Sequence, residues 1–319
     1  MVACLVSLSV ASRIGMTIEQ KKLISHSVSA PQTTHLKTIA ERITAFGDKP
    51  HVTVRRQLEL LEKLNQFDFG RFLLHHQGIN GYWTHYMLVH PWQPHKQMSD
   101  LEQFILERAP IMRATQERFE IFLAENQKQV KAGAELACIP CGMMGELLYL
   151  EFNEVEGITL TGIDYDPETL IDAQLLAEQQ HLSASIDLQQ ADGWALNEIE
   201  KFDLISSNGL TIYEPNEEKI TALYQIFFKA LKPGGKLVTS FLTAPPGISE
   251  QCEWDMTQIN LEDLMLQKII FADIIEAKWQ CYRSTAQIKN QLESVGFTAI
   301  EFIYDKARIF PTVVGYKQE

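Results

Sequence analysis

The sequence predicts an α/β fold, with a mostly parallel sheet and crossover helices in the C-terminal part and an N-terminal region built only of helices. Three observations carry this expectation. Residues 17 to about 130 place apolar side chains at helical spacing with no strand-like alternation. After Lys131, short apolar runs alternate with helical segments. The joints between runs and helices carry helix-start and turn residues.

Met1 to Gly15 is weakly apolar and small, and its first basic residue is Arg13, unlike the basic start of a secretory signal. Residues 1–16 are therefore expected to be a disordered tail. Leu58, Leu61 and Leu64 recur among Glu and Lys, and Ile111 to Ala124 repeats apolar residues at helical spacing, so 17–131 is expected as a helical region. The apolar runs 134–141, 158–163, 202–206 and 236–241 are the strands expected of a second unit, 132–319. Asp166-Pro167-Glu168-Thr169 supplies a capping acceptor, a proline at the first helical position and a first-turn carboxylate, which starts a helix just after a strand. Leu231-Lys-Pro-Gly-Gly predicts a helix end, a turn and the next strand. Gly296–Tyr304 and Arg308–Lys317 read as a closing antiparallel pair.

Composition narrows the function. The 28 Lys+Arg against 41 Asp+Glu give a formal charge of −13, and no basic cluster offsets it, which argues against nucleic acid as partner. Apolar stretches are broken well before the roughly 18 residues a membrane span needs. Five cysteines, an odd number, make a poor disulfide framework and point to a reducing, cytoplasmic setting.

The segment from Glu135 through Cys138-Ile-Pro-Cys141-Gly142-Met143-Met144-Gly145 reads as a buried strand, a small-residue turn and an apolar helix. Asp164 follows Gly142 by 22 residues at the tip of the next strand, the place of an acid that accepts from ribose hydroxyls. Asp192-Gly193 is placed to accept from an exocyclic amine, and Asn208-Gly209 closes a strand with small polar residues suited to a pocket floor. Each of these dipeptides also has an ordinary reading as a turn.

In that order, these motifs make residues 134–318 resemble a class I S-adenosylmethionine-dependent methyltransferase, within a bacterial group carrying a helical N-terminal region. The resemblance implies a Rossmann-like seven-stranded sheet, mostly parallel with a reversed last strand. It implies S-adenosylmethionine as cofactor, with Pro140, Cys141, Gly142 and Met143 at the glycine-rich turn. It also places Asp164 and Tyr165 at the ribose, Asp192 and Gly193 at the adenine, and Asn208 and Gly209 after strand four. The sequence departs from the pattern at the turn: Cys138 stands at the acidic position, Pro140 at the first glycine and Met144 at the third. The lost acid bears on the anchoring of the methionine amino group. Proline removes a backbone N–H that phosphate would need, which S-adenosylmethionine, having no phosphate, does not.

Cys138-Ile-Pro-Cys141 has the spacing of a thioredoxin-like dithiol, although such a protein gives no role to Asp164 or Asp192. Tyr82, Trp83 and Tyr86 are candidates for a lid over a sulfonium, against the plain alternative of a packing surface between the two regions. His85 is the candidate general base, with a hydrogen-bonded core histidine as its alternative; Tyr213 is the second catalytic candidate and Glu214 a candidate substrate contact, with helix capping as the alternative for Glu214. His85 and His90 do not share a helix face, so no metal site is expected. The expected function is methyl transfer to a small apolar or aromatic molecule; the alternative is a non-catalytic scaffold of the same fold, favoured by the altered turn.

Overall fold

The computed structural model describes residues 32–93, 97–153, 155–249 and 252–318. The expected tail over 1–16 and the beginning of the helical region over 17–31 lie outside the described residues.

The helical region runs α1 (Gln32–Phe46), α2 (Val54–Leu64), α3 (Asp68–His76), α4 (Gly81–Val89), α5 (Asp100–Gln103, continued by a wide-turn segment Phe104–Arg108) and α6 (Pro110–Gln127). Local chemistry sets the boundaries. Thr53 accepts from the Arg56 N–H at the start of α2, Asn80 accepts from the Trp83 N–H at the start of α4, and Pro110 opens α6. The leucines at 61 and 64 are buried while Leu58 is half-buried, so the periodicity marks the inner face of α2.

The second unit holds β1 (Glu135–Cys138), the single turn α7 (Gly145–Leu148), β2 (Thr159–Asp164), α8 (Pro167–Gln180), β3 (Ser185–Gln190), β4 (Phe202–Ser207), α9 (Glu217–Ala230) and β5 (Leu231–Ser240). It ends with α10 (Leu261–Lys268, continued by a wide-turn segment Ile269–Ile274), α11 (Thr285–Val295), β6 (Thr298–Ile303) and β7 (Thr312–Tyr316). The seven strands order as β3-β2-β1-β4-β5-β7-β6, and β7 runs antiparallel to both neighbours while the other pairs are parallel. This is the expected Rossmann-like sheet with a reversed last strand. The order reverses at β1, where Cys138 pairs with Gly162 on one side and Ser206 on the other, which makes its tip the natural place for a ligand.

Two local expectations differ from the structure. The helix expected after Gly145 is one turn, because no side chain caps its start and the chain bends at Tyr149 so that Tyr149 and Leu150 enter the core. The Pro-Gly-Gly expected as a turn before a strand lies inside β5: pairing slips between Phe202 and Leu204, Gly234 adopts φ 75°, and the segment forms a bulge.

Helix α6 ties the two regions into one body. Phe119, Phe122 and Leu123 belong to a core continuous with Leu136, Leu160 and Leu204 of the sheet. Beneath it, the fully buried Lys236 of β5 gives hydrogen bonds to the Glu125 carboxylate at 2.8 Å and to its carbonyl at 2.9 Å. Asn126 donates to the Glu146 carbonyl and to Ser206 Oγ.

Candidate functional site at the strand tips

The turn leaving β1 is pinned to the tip of β2. Cys141 N–H donates to the Ile163 carbonyl at 2.8 Å, and Gly142 N–H donates to Asp164 Oδ2 at 2.9 Å. Asp164 Oδ1 accepts from the Asp166 N–H at 3.0 Å, so the acid is oriented by backbone on both oxygens. Burial pushes its pKa up, opposed by those same N–H groups. The Ile139–Pro140 peptide is cis, and Gly142 takes φ 49°. Gly81 at the start of α4 lies directly over this turn: a Cβ there would stand 2.5 Å from Thr169 Cγ2 and 3.1 Å from Gly142 Cα. Only glycine allows that approach.

Two chambers open at the tips and share Pro140, Asp164 and Leu210 as a common wall. The outer groove, about 590 Å³, is lined by Tyr165, Asp192, Gly193, Trp194, Glu214 and Lys219 besides that wall. The inner cavity, about 380 Å³, is bounded by Cys141, Gly142, Met143, Asn208 and Gly209 from the strand tips and by Asn80, Gly81, Thr84, His85, Met112 and Arg118 from the helical region. Every residue expected at the cofactor thus lines one chamber or the other, and Asp164 and Asp192 face the same groove.

The candidate catalytic and lid residues divide. Tyr213 lines the inner cavity, and burial of its phenol raises its pKa. His85 also lines it, but its Nε2 is 2.6 Å from the Tyr149 hydroxyl and burial lowers its pKa to about 4. It is neutral at physiological pH and held as a core histidine. Glu214 lies on the outer groove, accepts from the Asn216 N–H at 2.8 Å and pairs with Lys219, so it supports the start of α9.

The lid expectation for Tyr82, Trp83 and Tyr86 is corrected: none of the three lines either chamber. Trp83 is buried, stacks on Phe69 at 5.2 Å and meets Tyr82 and Tyr86 edge-on at 5.0 and 5.3 Å, while Tyr86 donates to Glu102. Trp83 and Tyr86 pack against α3 and α5 within the helical region, and α4 reaches the cavity through Asn80, Gly81, Thr84 and His85 instead. The dithiol reading fails on electrostatics. Both thiols are buried, and burial with the nearby Glu146 and Asp164 carboxylates pushes their pKa values well up, opposite to what a reactive thiolate needs. Among the described residues no three His, Cys, Asp or Glu side chains come together as a metal site, and no helix is long and apolar enough to cross a membrane.

Two charged residues of the inner cavity escaped the sequence reading. Glu146 opens α7 with its carboxylate buried; it accepts from Ser206 Oγ, and its Oε2 lies 3.7 Å from Cys138 Sγ. The carboxylate therefore stands beside the end of β1, at the cysteine that the resemblance sets in the acidic position. Burial raises its pKa, opposed by hydrogen bonds from Ser206 and Asn208 and by the charge of Arg118. Arg118 of α6 is 4% exposed, and its guanidinium lies 4.2 Å above the Phe310 ring. Burial lowers its pKa to about 10, so it is still a cation at neutral pH. A signal for it existed, since Arg118 falls on the same stripe of α6 as Thr115 and Phe122, where a charge has no solvent to face.

A sequence profile described as a methyltransferase domain matches residues 139–235. Among solved structures, a protein of Bordetella parapertussis named as a possible exported protein is 42% identical, with 93% of this chain and 100% of that one covered and a TM-score of 0.86. Magnesium protoporphyrin IX methyltransferase of Synechocystis PCC 6803, solved with S-adenosylhomocysteine, is 15% identical, with 75% of this chain and 94% of that one covered and a TM-score of 0.50, a likeness of fold alone. No protein of curated function matches the sequence.

Proposed function

The chain belongs to the class I S-adenosylmethionine-dependent methyltransferases, and on that premise we propose that it methylates a small molecule with an apolar or aromatic body, held in the inner cavity. The observation that carries this reading is Asp164, fixed by two backbone N–H groups on the wall common to both chambers. In this reading Asp192 accepts from the adenine amine in the outer groove, Asp164 accepts from the ribose hydroxyls, and Glu146 accepts from the methionine ammonium. Glu146 thereby does the work that Cys138 cannot. Cys141 and Met143 supply soft contacts. The residues fit this cofactor and not a dinucleotide, because Pro140 leaves the turn without an N–H that a pyrophosphate would need.

S-adenosylmethionine brings a methyl already activated on a sulfonium. The task left to the chain is alignment and exclusion of water, an effect of roughly 7–11 kcal/mol when the reacting atoms are held near 3 Å. Asn80, Gly81 and Thr84 close the cavity over the turn, while Ile111, Met112 and Phe119 make its wall apolar. Burial lowers the basicity of His85 and its Nε2 is bonded to Tyr149, which favours a wall role over proton abstraction.

Calorimetry with S-adenosylmethionine and S-adenosylhomocysteine tests the reading, with binding near micromolar strength expected. Asp164→Ala should weaken both by ~1.5–3 kcal/mol, roughly 10- to 150-fold. Unchanged affinity in that variant would remove the ribose from Asp164. No binding at all would leave the scaffold reading.

A further inference from the structure

Arg118 is the one Lys or Arg among the described residues lining the inner cavity. Neither its Nε nor its Nη1 has a hydrogen-bond partner among the described residues, and no carboxylate forms an ion pair with it there. The acids nearest in charge are engaged elsewhere. Asp305 accepts the N–H groups of Ala307, Ile309 and Phe310 at 3.1, 3.1 and 2.7 Å, and Glu146 turns to Ser206 and Cys138. A buried guanidinium with unused donors is costly to keep unless a ligand pairs with it. Phe310 covers one face of the guanidinium, which leaves its in-plane donors for a planar anion.

We propose that the methyl acceptor is a carboxylate-bearing molecule with an apolar body, and that Arg118 is the residue that binds its carboxylate. The proposal rests on the methyltransferase reading and names the acceptor class for the same site. Arg118 stands against Phe310, which leads into β7, and near Tyr213, which follows β4, away from Asp164 and Asp192 at the tips of β2 and β3. Glu146, proposed for the donor's ammonium, is also near in charge, so the acceptor's carboxylate and the donor's methionyl carboxylate are told apart by the 5′-methylthioadenosine comparison in the test. Leu88, Ile111, Met112, Ile212 and Trp279 provide apolar surface for the rest of the molecule.

The test uses the full chain saturated with S-adenosylhomocysteine and titrated with phenylacetate, 3-phenylpropionate and hexanoate, each beside its primary amide. At least one carboxylate should bind about tenfold or more tightly than its amide. The preference should vanish in Arg118→Met and return in part in Arg118→Lys, with S-adenosylhomocysteine affinity unchanged in both, which also shows that the variants are folded. The proposal is overturned if acids and amides bind alike, or if no acid binds. It is also overturned if Arg118→Met weakens S-adenosylhomocysteine but not 5′-methylthioadenosine, which lacks the amino-acid portion; that result gives the guanidinium to the donor. Wild-type protein that binds no S-adenosylhomocysteine would instead defeat the methyltransferase reading on which the proposal stands.

Discussion

Glu146→Gln should make the ligand-free protein more stable and its grip on the methyl donor weaker. The carboxylate is buried, and burial, the largest influence on it, lifts its pKa above 4.5 despite the hydrogen bonds from Ser206 and Asn208 and the charge of Arg118. For an acid whose folded-state pKa lies above its unfolded value, the fold binds the proton more tightly than the open chain does. The ionised group therefore costs stability at neutral pH, and that cost is relieved as pH falls through the raised pKa. Glutamine keeps an acceptor for Ser206 Oγ without the charge. Urea unfolding at neutral pH should show the variant ahead, with the gap closing as the solution is acidified. Binding moves the other way: the ammonium loses a charge-assisted hydrogen bond, ~1.5–3 kcal/mol, or roughly 10- to 150-fold in the Kd of S-adenosylhomocysteine. The Kd of 5′-methylthioadenosine, which has no ammonium, should stay put. Equal weakening of both ligands, or a less stable variant with unaltered binding, would refute the placement of Glu146 as the donor's acid.

Two other variants probe the packing of α4 and its contact with the turn after β1. Trp83→Ala removes a ring stacked on Phe69 and only 6% exposed, so unfolding should become easier by ~3–5 kcal/mol while the folded fraction keeps its S-adenosylhomocysteine affinity. Lost affinity with little change in stability would return this residue to a lid. Gly81→Ala drives a Cβ into Thr169 Cγ2 and toward Gly142 Cα, an overpacking cost of ~1–3 kcal/mol, and should weaken S-adenosylhomocysteine by displacing the cofactor turn. Adding Thr169→Ser, which deletes the clashing methyl, should recover part of that binding in calorimetry; wild-type affinity in Gly81→Ala alone would show that the turn does not depend on the contact.

What could be read in the sequence was local. Asp166-Pro167 starts a helix by its own capping chemistry, and the place of Asp164 at a strand tip follows from where the apolar run stops. The face that a helix turns inward was not legible for α4. Its residues Tyr82, Trp83, Tyr86, Met87 and Leu88 are apolar nearly all round, so periodicity names no inner side, and tertiary packing sent the three rings away from the cavity. Glu146 was hidden for another reason: its meaning depends on Cys138 eight residues earlier and Ser206 sixty residues later, which only the pairing of β1 with β4 brings together. The Pro-Gly-Gly bulge shows the same limit, since turn residues do not say whether the chain reverses or a strand merely kinks.

The altered turn therefore need not be a damaged one. With Glu146 as the proposed acid for the donor, the acid moves from the end of β1 to the start of α7 and its position depends on α6, because Asn126 donates both to the Glu146 carbonyl and to Ser206, and α6 is in turn fixed by the buried Lys236–Glu125 pair. The helical region is then part of the site rather than a cover laid over it: it supplies Arg118, steadies Glu146 and presses Gly81 onto the cofactor turn. The chambers differ accordingly. At the outer groove Asp192 and Tyr165 are open to water, so recognition of the adenosine end can be solvent-accessible, whereas the inner cavity is walled by buried Met112, Phe119, Met143 and His85. An exposed groove beside an enclosed cavity suits the proposed transfer, since water in the cavity would weaken every charge it holds.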